Sequence, residues 1–211
     1  MTKKATIIDY GSGNLHSILK AFERGAAENN TKVVLSASAG DLSDSDYVIL
    51  PGVGAFGDCV AGLEKIDGMM DVLNEHAIVN KKPFMGVCVG MQMLADTGLE
   101  NGEHKGLGWI KGEVNKIEPN DDSLKIPHMG WNEIIIKNDH PVLKGINSGD
   151  HFYFVHSYKF DCKNERDIVS VVEYGCEINA VIANENIIAT QFHPEKSHSS
   201  GIKLIENFLR L

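Results

Sequence analysis

The stretch Pro83-Phe84-Met85-Gly86-Val87-Cys88-Val89-Gly90-Met91-Gln92 decides how this 211-residue chain is read. Pro83-Phe84-Met85 is a short apolar run with strand character, and Met91-Gln92-Met93-Leu94-Ala95 opens a helix. Between them a cysteine has a glycine two residues to either side. Small residues at those positions let the chain reverse sharply, which pushes a sulfur out at the strand's end instead of packing it. The pattern is the thiol form of a nucleophile elbow.

A nucleophilic cysteine needs a base, and the base needs an orienting group. About a hundred residues downstream lies Gln191-Phe192-His193-Pro194-Glu195. His193 and Glu195 stand two apart, so an extended backbone turns both side chains the same way. Cys88, His193 and Glu195 together make a triad pattern for acyl transfer. A lone buried cysteine or a lone His-Pro turn is commonplace; the coincidence of elbow, histidine and carboxylate is not. The other cysteines (Cys59, Cys162 and Cys176) form no C-x-x-C pair and no disulfide-dense framework, and read as structural.

Working outward, the first half alternates strand and helix. Ala5 to Asp9 precedes a helical stripe of Leu15, Ile18, Leu19 and Phe22. Lys32 to Leu35 and Tyr47 to Leu50 are further apolar strands. From Ala55 to Val79, apolar residues recur every three or four positions and predict one long helix. The alternation predicts an α/β fold with a mostly parallel sheet and helices on both faces. The second half is strand-rich, with candidates at 113–117, 133–136, 152–160, 168–173, 180–183 and 187–190. A last helix carries Ile202, Ile205, Phe208 and Leu209 on one face. With no repeat and no linker, residues 1–211 read as a single domain. In open α/β sheets ligands bind at the carboxyl ends of the strands, where the elbow places Cys88.

Composition narrows the function classes. Hydrophobic content of 43% belongs to a globular core, and a net charge of −9 argues against nucleic acid as the main ligand. No apolar stretch approaches a membrane span and no signal core follows Lys3-Lys4, so a reduced, cytoplasmic protein is expected.

Attack on a carbonyl creates an oxyanion that needs waiting donors. The Val89 N–H, directly after the nucleophile, is one. The loop Pro51-Gly52-Val53-Gly54 follows a strand, and its glycines would let the Val53 or Gly54 N–H turn toward the same point; a plain turn fits that loop as well. Gly11-Ser12-Gly13-Asn14 opens the first helix. It reads either as an anion-holding loop or as a tight turn capped by Ser12 or Asn14.

These residues resemble the class I (triad) glutamine amidotransferases, and within them the glutaminase subunits of imidazole glycerol phosphate synthases. The likeness runs through Asp9 to Leu15, Leu50 to Phe56, Pro83 to Gln92, Gly106 to Trp109, Pro127 to Asn132, Tyr153 to Tyr158 and Gln191 to Ser197. It implies a flavodoxin-like three-layer fold and a Cys88 thioester formed from L-glutamine, with His193 as proton carrier and Glu195 as its orienter. Gln92, with backbone of Gly54, Ser157 and Tyr158, would contact the substrate. No cofactor or metal is implied. Ammonia would pass to a (β/α)₈-barrel synthase subunit in a heterodimer, docked over Asn14, Trp131, Tyr153 and Lys196. Core packing for Trp131 and Tyr153, and a solvated charge for Lys196, are the competing readings. A relative serving another ammonia-using synthase, such as one amidating a surface sugar, or a non-catalytic binding homologue, would share much of this sequence.

Overall fold

A computed structural model describes residues 2–211. The strands of its parallel half are β1 (Lys3–Ile8), β2 (Thr31–Ser36), β3 (Tyr47–Gly52), β4 (Phe84–Cys88) and β13 (Ile187–Thr190). They lie in the order β2-β1-β3-β4-β13 with every pairing parallel. The sheet continues antiparallel through β12 (Glu177–Asn184), β11 (Ile168–Glu173), β8 (His128–Ile136) and β9 (His151–His156). A smaller sheet combines β10 (Tyr158–Cys162), β7 (Gly112–Lys116), β5 (Thr97–Gly98) and β6 (His104–Lys105).

The central parallel strands β3, β4 and β13 are buried along their whole length, because both faces are covered. Tyr47, Val48, Ile49 and Leu50 are all buried, as are Phe84, Met85 and Val87. Helix α1 (Leu15–Ala26) packs against α6 (His198–Phe208). Helices α2 (Ala39–Ser43), α3 (Phe56–Glu64) and α4 (Met69–Asn74) pack among themselves, and α5 (Val89–Gln92) is the single turn after the elbow. All eight phenylalanines are buried; each contributes roughly 1.5–3 kcal/mol by leaving water.

Two expected elements divide. The helix expected over 55–79 breaks at Gly68, whose φ of 71° is left-handed. It resumes as α4 and ends in a π-helical turn at Glu75–Val79; both pieces bury their apolar residues, Phe56, Val60 and Leu63 in the first and Met69, Leu73 and Ala77 in the second. The strand expected over 152–160 divides at Ser157. There the chain leaves the large sheet for the small one, and the Ser157 carbonyl accepts from Ile117 N–H at 2.9 Å. No helix among the described residues is long and apolar enough to cross a membrane.

Candidate active site

Cys88 ends β4 with φ 55° and ψ −112°. Such backbone costs on the order of 1–3 kcal/mol and persists only when its surroundings enforce it. The enforcement comes from glycine. A Cβ on Gly86 would lie 2.6 Å from the Gly90 carbonyl oxygen, and one on Gly90 only 1.9 Å from that of Leu50 in β3. The elbow, its helix and the neighbouring strand therefore touch backbone to backbone. In the β3–β4 register Gly52 stands opposite Cys88, which brings the Pro51–Gly54 loop alongside the sulfur.

The histidine arrives from the other side of β4. After β13, Phe192 stacks on Phe152 at 4.1 Å, and the His193 N–H donates to the Tyr153 carbonyl at 2.9 Å. Ser197 Oγ accepts from Tyr153 N–H at 3.0 Å and donates to the His193 carbonyl at 2.6 Å. His193 Nδ1 donates to Glu195 Oε1 at 2.8 Å, with both side chains almost wholly buried. Cys88 and His193 border the same cavity, and the two groups couple electrostatically. Burial works against a charged imidazole, but Cys88 and then Glu195 outweigh it and hold His193 up at about 10. Glu195 reaches the ring from a 3₁₀ turn, Pro194–Lys196, and not from the extended segment expected. Proline at its first position pre-sets that turn.

Around the sulfur lies a cavity of about 290 Å³ bordered by Cys88, His193, Gln92, Glu100, Ser157 and Gly54. That is near the small end of ligand sites, roughly 300–1,000 Å³, and suits an amino acid. Gln92 Nε2 donates to the Tyr158 carbonyl at 3.0 Å and to Gln191 Oε1 at 3.1 Å. Both its hydrogens are committed, which leaves Oε1 as its free acceptor. Tyr158, whose backbone is expected to touch substrate, borders the cavity, and its carbonyl accepts from Gln92 and from His156 Nδ1. Gln191 Nε2 lies 3.9 Å from the sulfur.

Ser12 does not cap a helix. Its hydroxyl accepts from Val53 N–H at 3.1 Å and donates to the Val53 carbonyl. One side chain thus grips both peptide planes around Val53, and an N–H given to Ser12 is not at the same time given to an oxyanion. The Gly54 N–H, trans to the gripped carbonyl, points away from Ser12. Asn14 begins α1 without a side-chain cap.

The family model described as "Glutamine amidotransferase class-I" matches residues 6–211. The chain belongs to the class-I glutamine amidotransferases. This amidotransferase is 47% identical over 212 residues to "Imidazole glycerol phosphate synthase subunit HisH" of Brucella suis biovar 1 (strain 1330), covering 98% of each chain. It is 50% identical over 210 residues to the protein of that name from Rhodospirillum rubrum, again covering 98% of each. A solved structure titled "Crystal structure of glutamine amidotransferase" shares the fold, with TM-score 0.72, 18% identity and 97% of each chain covered.

Of the remaining expected residues, Val89 and Lys196 border the Cys88 cavity, and Trp131 packs beside Tyr153. Val89 opens α5, so its N–H has no acceptor within the helix. Trp131 is 44% exposed and stacks on His198 at 4.8 Å, which removes the core-packing reading. Lys196 Nζ stands 5.7 Å from the centre of the Tyr153 ring. Asn14 and Lys196 border a second cavity that includes Ser12 and Val53. Sequence reasoning did not single out Glu100, in the turn after β5, whose Oε2 accepts from the Phe56 N–H at 2.8 Å. Nothing in its spacing connects it to Cys88.

It also passed over His128 and His156, buried neighbours on β8 and β9. Burial pushes His128 down to about 4 and, with smaller effects from neighbouring groups, His156 to about 3. A histidine that binds protons more weakly when folded stabilises fully above its unfolded pKa near 6.5, and that contribution falls as pH drops toward the folded values. At pH 5 the loss is about 2 kcal/mol per ring. Urea unfolding at pH 7.5 and 5.0 is expected to register it as a lower midpoint at pH 5.0. His193 has the opposite sign: its contribution is present below pH 6.5 and is lost as pH rises toward 10.

Proposed function

We propose that this amidotransferase is the glutaminase subunit of an imidazole glycerol phosphate synthase. The observation that carries the chemistry is the buried Cys88–His193–Glu195 constellation on a strained elbow. The pathway assignment rests on the 47–50% identity to the HisH subunits over nearly the whole chain.

In this reading the Cys88 sulfur attacks the side-chain carbonyl of L-glutamine. The Val89 N–H and a donor from the Val53–Gly54 loop receive the oxyanion. His193 transfers its proton to the departing amide nitrogen, ammonia leaves, and a thioester remains. His193 then takes a proton from water, hydroxide attacks the thioester, and glutamate and the thiol are released. Glu195 orients the ring and offsets its charge. Gln92 Oε1 accepts from a substrate N–H, and the Glu100 carboxylate receives the α-ammonium. Ammonia enters a (β/α)₈-barrel partner that covers Asn14, Trp131, Tyr153 and Lys196.

The Ser12 grip supplies a resting state. Partner docking over the adjoining cavity would favour the released loop, shifting a two-state equilibrium. Ser12→Ala removes the grip while leaving the triad intact. Glutamate release by the isolated subunit is expected to rise about tenfold, the worth of one hydrogen bond of about 1 kcal/mol or slightly more, and the partner-stimulated rate to stay within about twofold. An unchanged basal rate would mean that Ser12 does not restrain the loop.

Complementation of a histidine auxotroph lacking its glutaminase subunit tests the pathway. Growth with the wild-type gene and none with Cys88→Ala is expected. Active glutaminase without growth would point instead to another synthase, such as one amidating a surface sugar.

A further inference from the structure

Asn132, His128, His156, the Tyr158 carbonyl, Gln92 and Gln191 form one line of hydrogen bonds, and its proton positions are fixed from both ends. Asn132 Oδ1 accepts from Glu133 N–H at 2.8 Å and its Nδ2 donates to the Glu173 carbonyl at 3.0 Å, so the amide has one orientation. The same Nδ2 stands 3.3 Å from His128 Nε2, which must therefore accept. His128 then carries its proton on Nδ1 and donates to His156 Nε2 at 3.0 Å. At the other end a carbonyl can only accept, so His156 Nδ1 donates to Tyr158 O at 2.8 Å. Both ends assign the same tautomers. The neutral state follows from the geometry as well: an added proton on His156 Nε2 would face the His128 Nδ1–H, and one on His128 Nε2 would face the Asn132 Nδ2–H.

The rings are held as firmly as their protons. His128 lies between Tyr174, stacked at 4.1 Å, and Phe154, stacked at 4.8 Å, and both histidines are buried. The line begins on β8 beside exposed Trp131 and ends at Gln191, next to the Cys88 sulfur. Gln92 is its pivot: its amide is oriented by donating to Tyr158 O and Gln191 Oε1, which turns Oε1 into an acceptor.

We propose that His128 and His156 are positioning residues for the bound glutamine, a pair of neutral Nδ1–H imidazoles that orients Gln92 through the Tyr158 carbonyl. The proposal rests on the reading of Gln92 as a substrate contact. Its consequence is specific: the pair governs how tightly glutamine is held and leaves the chemistry at Cys88 nearly untouched. A pair serving only to fill the core would govern stability alone.

Two measurements on the full chain test it. Nitrogen-15 NMR of histidine-labelled protein reads tautomer and charge directly. Both rings are expected as neutral Nδ1–H imidazoles from pH 5.5 to 8; an Nε2–H tautomer, or titration near 6.5, overturns the wiring. Glutamine kinetics with the synthase partner and its acceptor read the role. Gln92→Ala and His156→Leu are each expected to raise KM about tenfold with kcat within about threefold, as loss of uniform binding does. The double variant should be no worse than either single one, because the two act as a unit. His156→Asn, whose amide nitrogen can stand where Nδ1 stood, should restore KM. Multiplicative effects, a change confined to kcat, or no rescue by asparagine would overturn the proposal. Should His156→Leu fail to fold, His156→Asn and the tautomer measurement still decide. An unchanged KM in Gln92→Ala alone removes the premise about Gln92, and the proposal with it, while glutaminase activity in that variant leaves the enzyme assignment standing.

Discussion

Glu195→Gln is expected to slow glutamine hydrolysis by about 10²–10⁴-fold while leaving the fold intact. The comparable change in a serine triad costs about 10⁴. Glu195 is nearly isosteric with glutamine, but only the carboxylate both accepts from His193 Nδ1 and offsets the charge of the ring. If the new amide group faces Nδ1 it donates there, and the neutral ring must carry its proton on Nε2, toward the sulfur. If it faces away, into the place of Oε2, which has no hydrogen-bond partner, the acceptor survives but the charge does not. Either orientation depletes the imidazolium that protonates the departing ammonia. Alkylation of Cys88 by iodoacetamide at pH 7 supplies a reading independent of glutamine and should slow as well. Retention of more than a tenth of the wild-type rate would show that Glu195 does not orient the base.

The second large effect concerns the elbow. Gly90→Ala sets a Cβ where the Leu50 carbonyl oxygen stands, 1.9 Å away. Both partners are backbone of buried, central elements, so no side-chain rotation relieves the clash. Overpacking of well-filled interiors typically costs about 1–3 kcal/mol, more where backbone must move. At about 3 kcal/mol the melting temperature of a chain this size falls by about 10 °C. Any separation of α5 from β3 also displaces Cys88 from the Pro51–Gly54 loop, and a small misplacement at the reacting atoms is expensive in rate. Thermal melting and glutamate release should therefore decline together. Unchanged melting would mean that the elbow and β3 are looser than this packing requires.

The elbow was legible in the sequence because its constraint is local. Small residues two before and two after Cys88 are what a tight reversal against a neighbouring strand demands, and the structure supplies the contacts that demand them. The centre of the parallel half was legible from its continuous apolar strands. Where reading failed, the cause was a partner distant in sequence. Ser12 looks like a cap beside α1, and only the fold reveals that Val53 takes its hydroxyl. Glu100 sits in an unremarkable turn that β5 carries to the cavity. His128 and His156 are 28 positions apart and meet because β8 and β9 pair in that register. Helical periodicity from 55 to 79 was real, but Gly68 divides it into two pieces that both bury their apolar residues.

The most direct test is glutamate release from glutamine by the purified subunit, alone and with its synthase partner plus acceptor, using Cys88→Ala as the blank. A gated amidotransferase gives little glutamate alone, strong stimulation in the complex, and nothing from the blank under either condition. Glutamate release that persists in Cys88→Ala, or wild-type protein silent even in the complex, would contradict it.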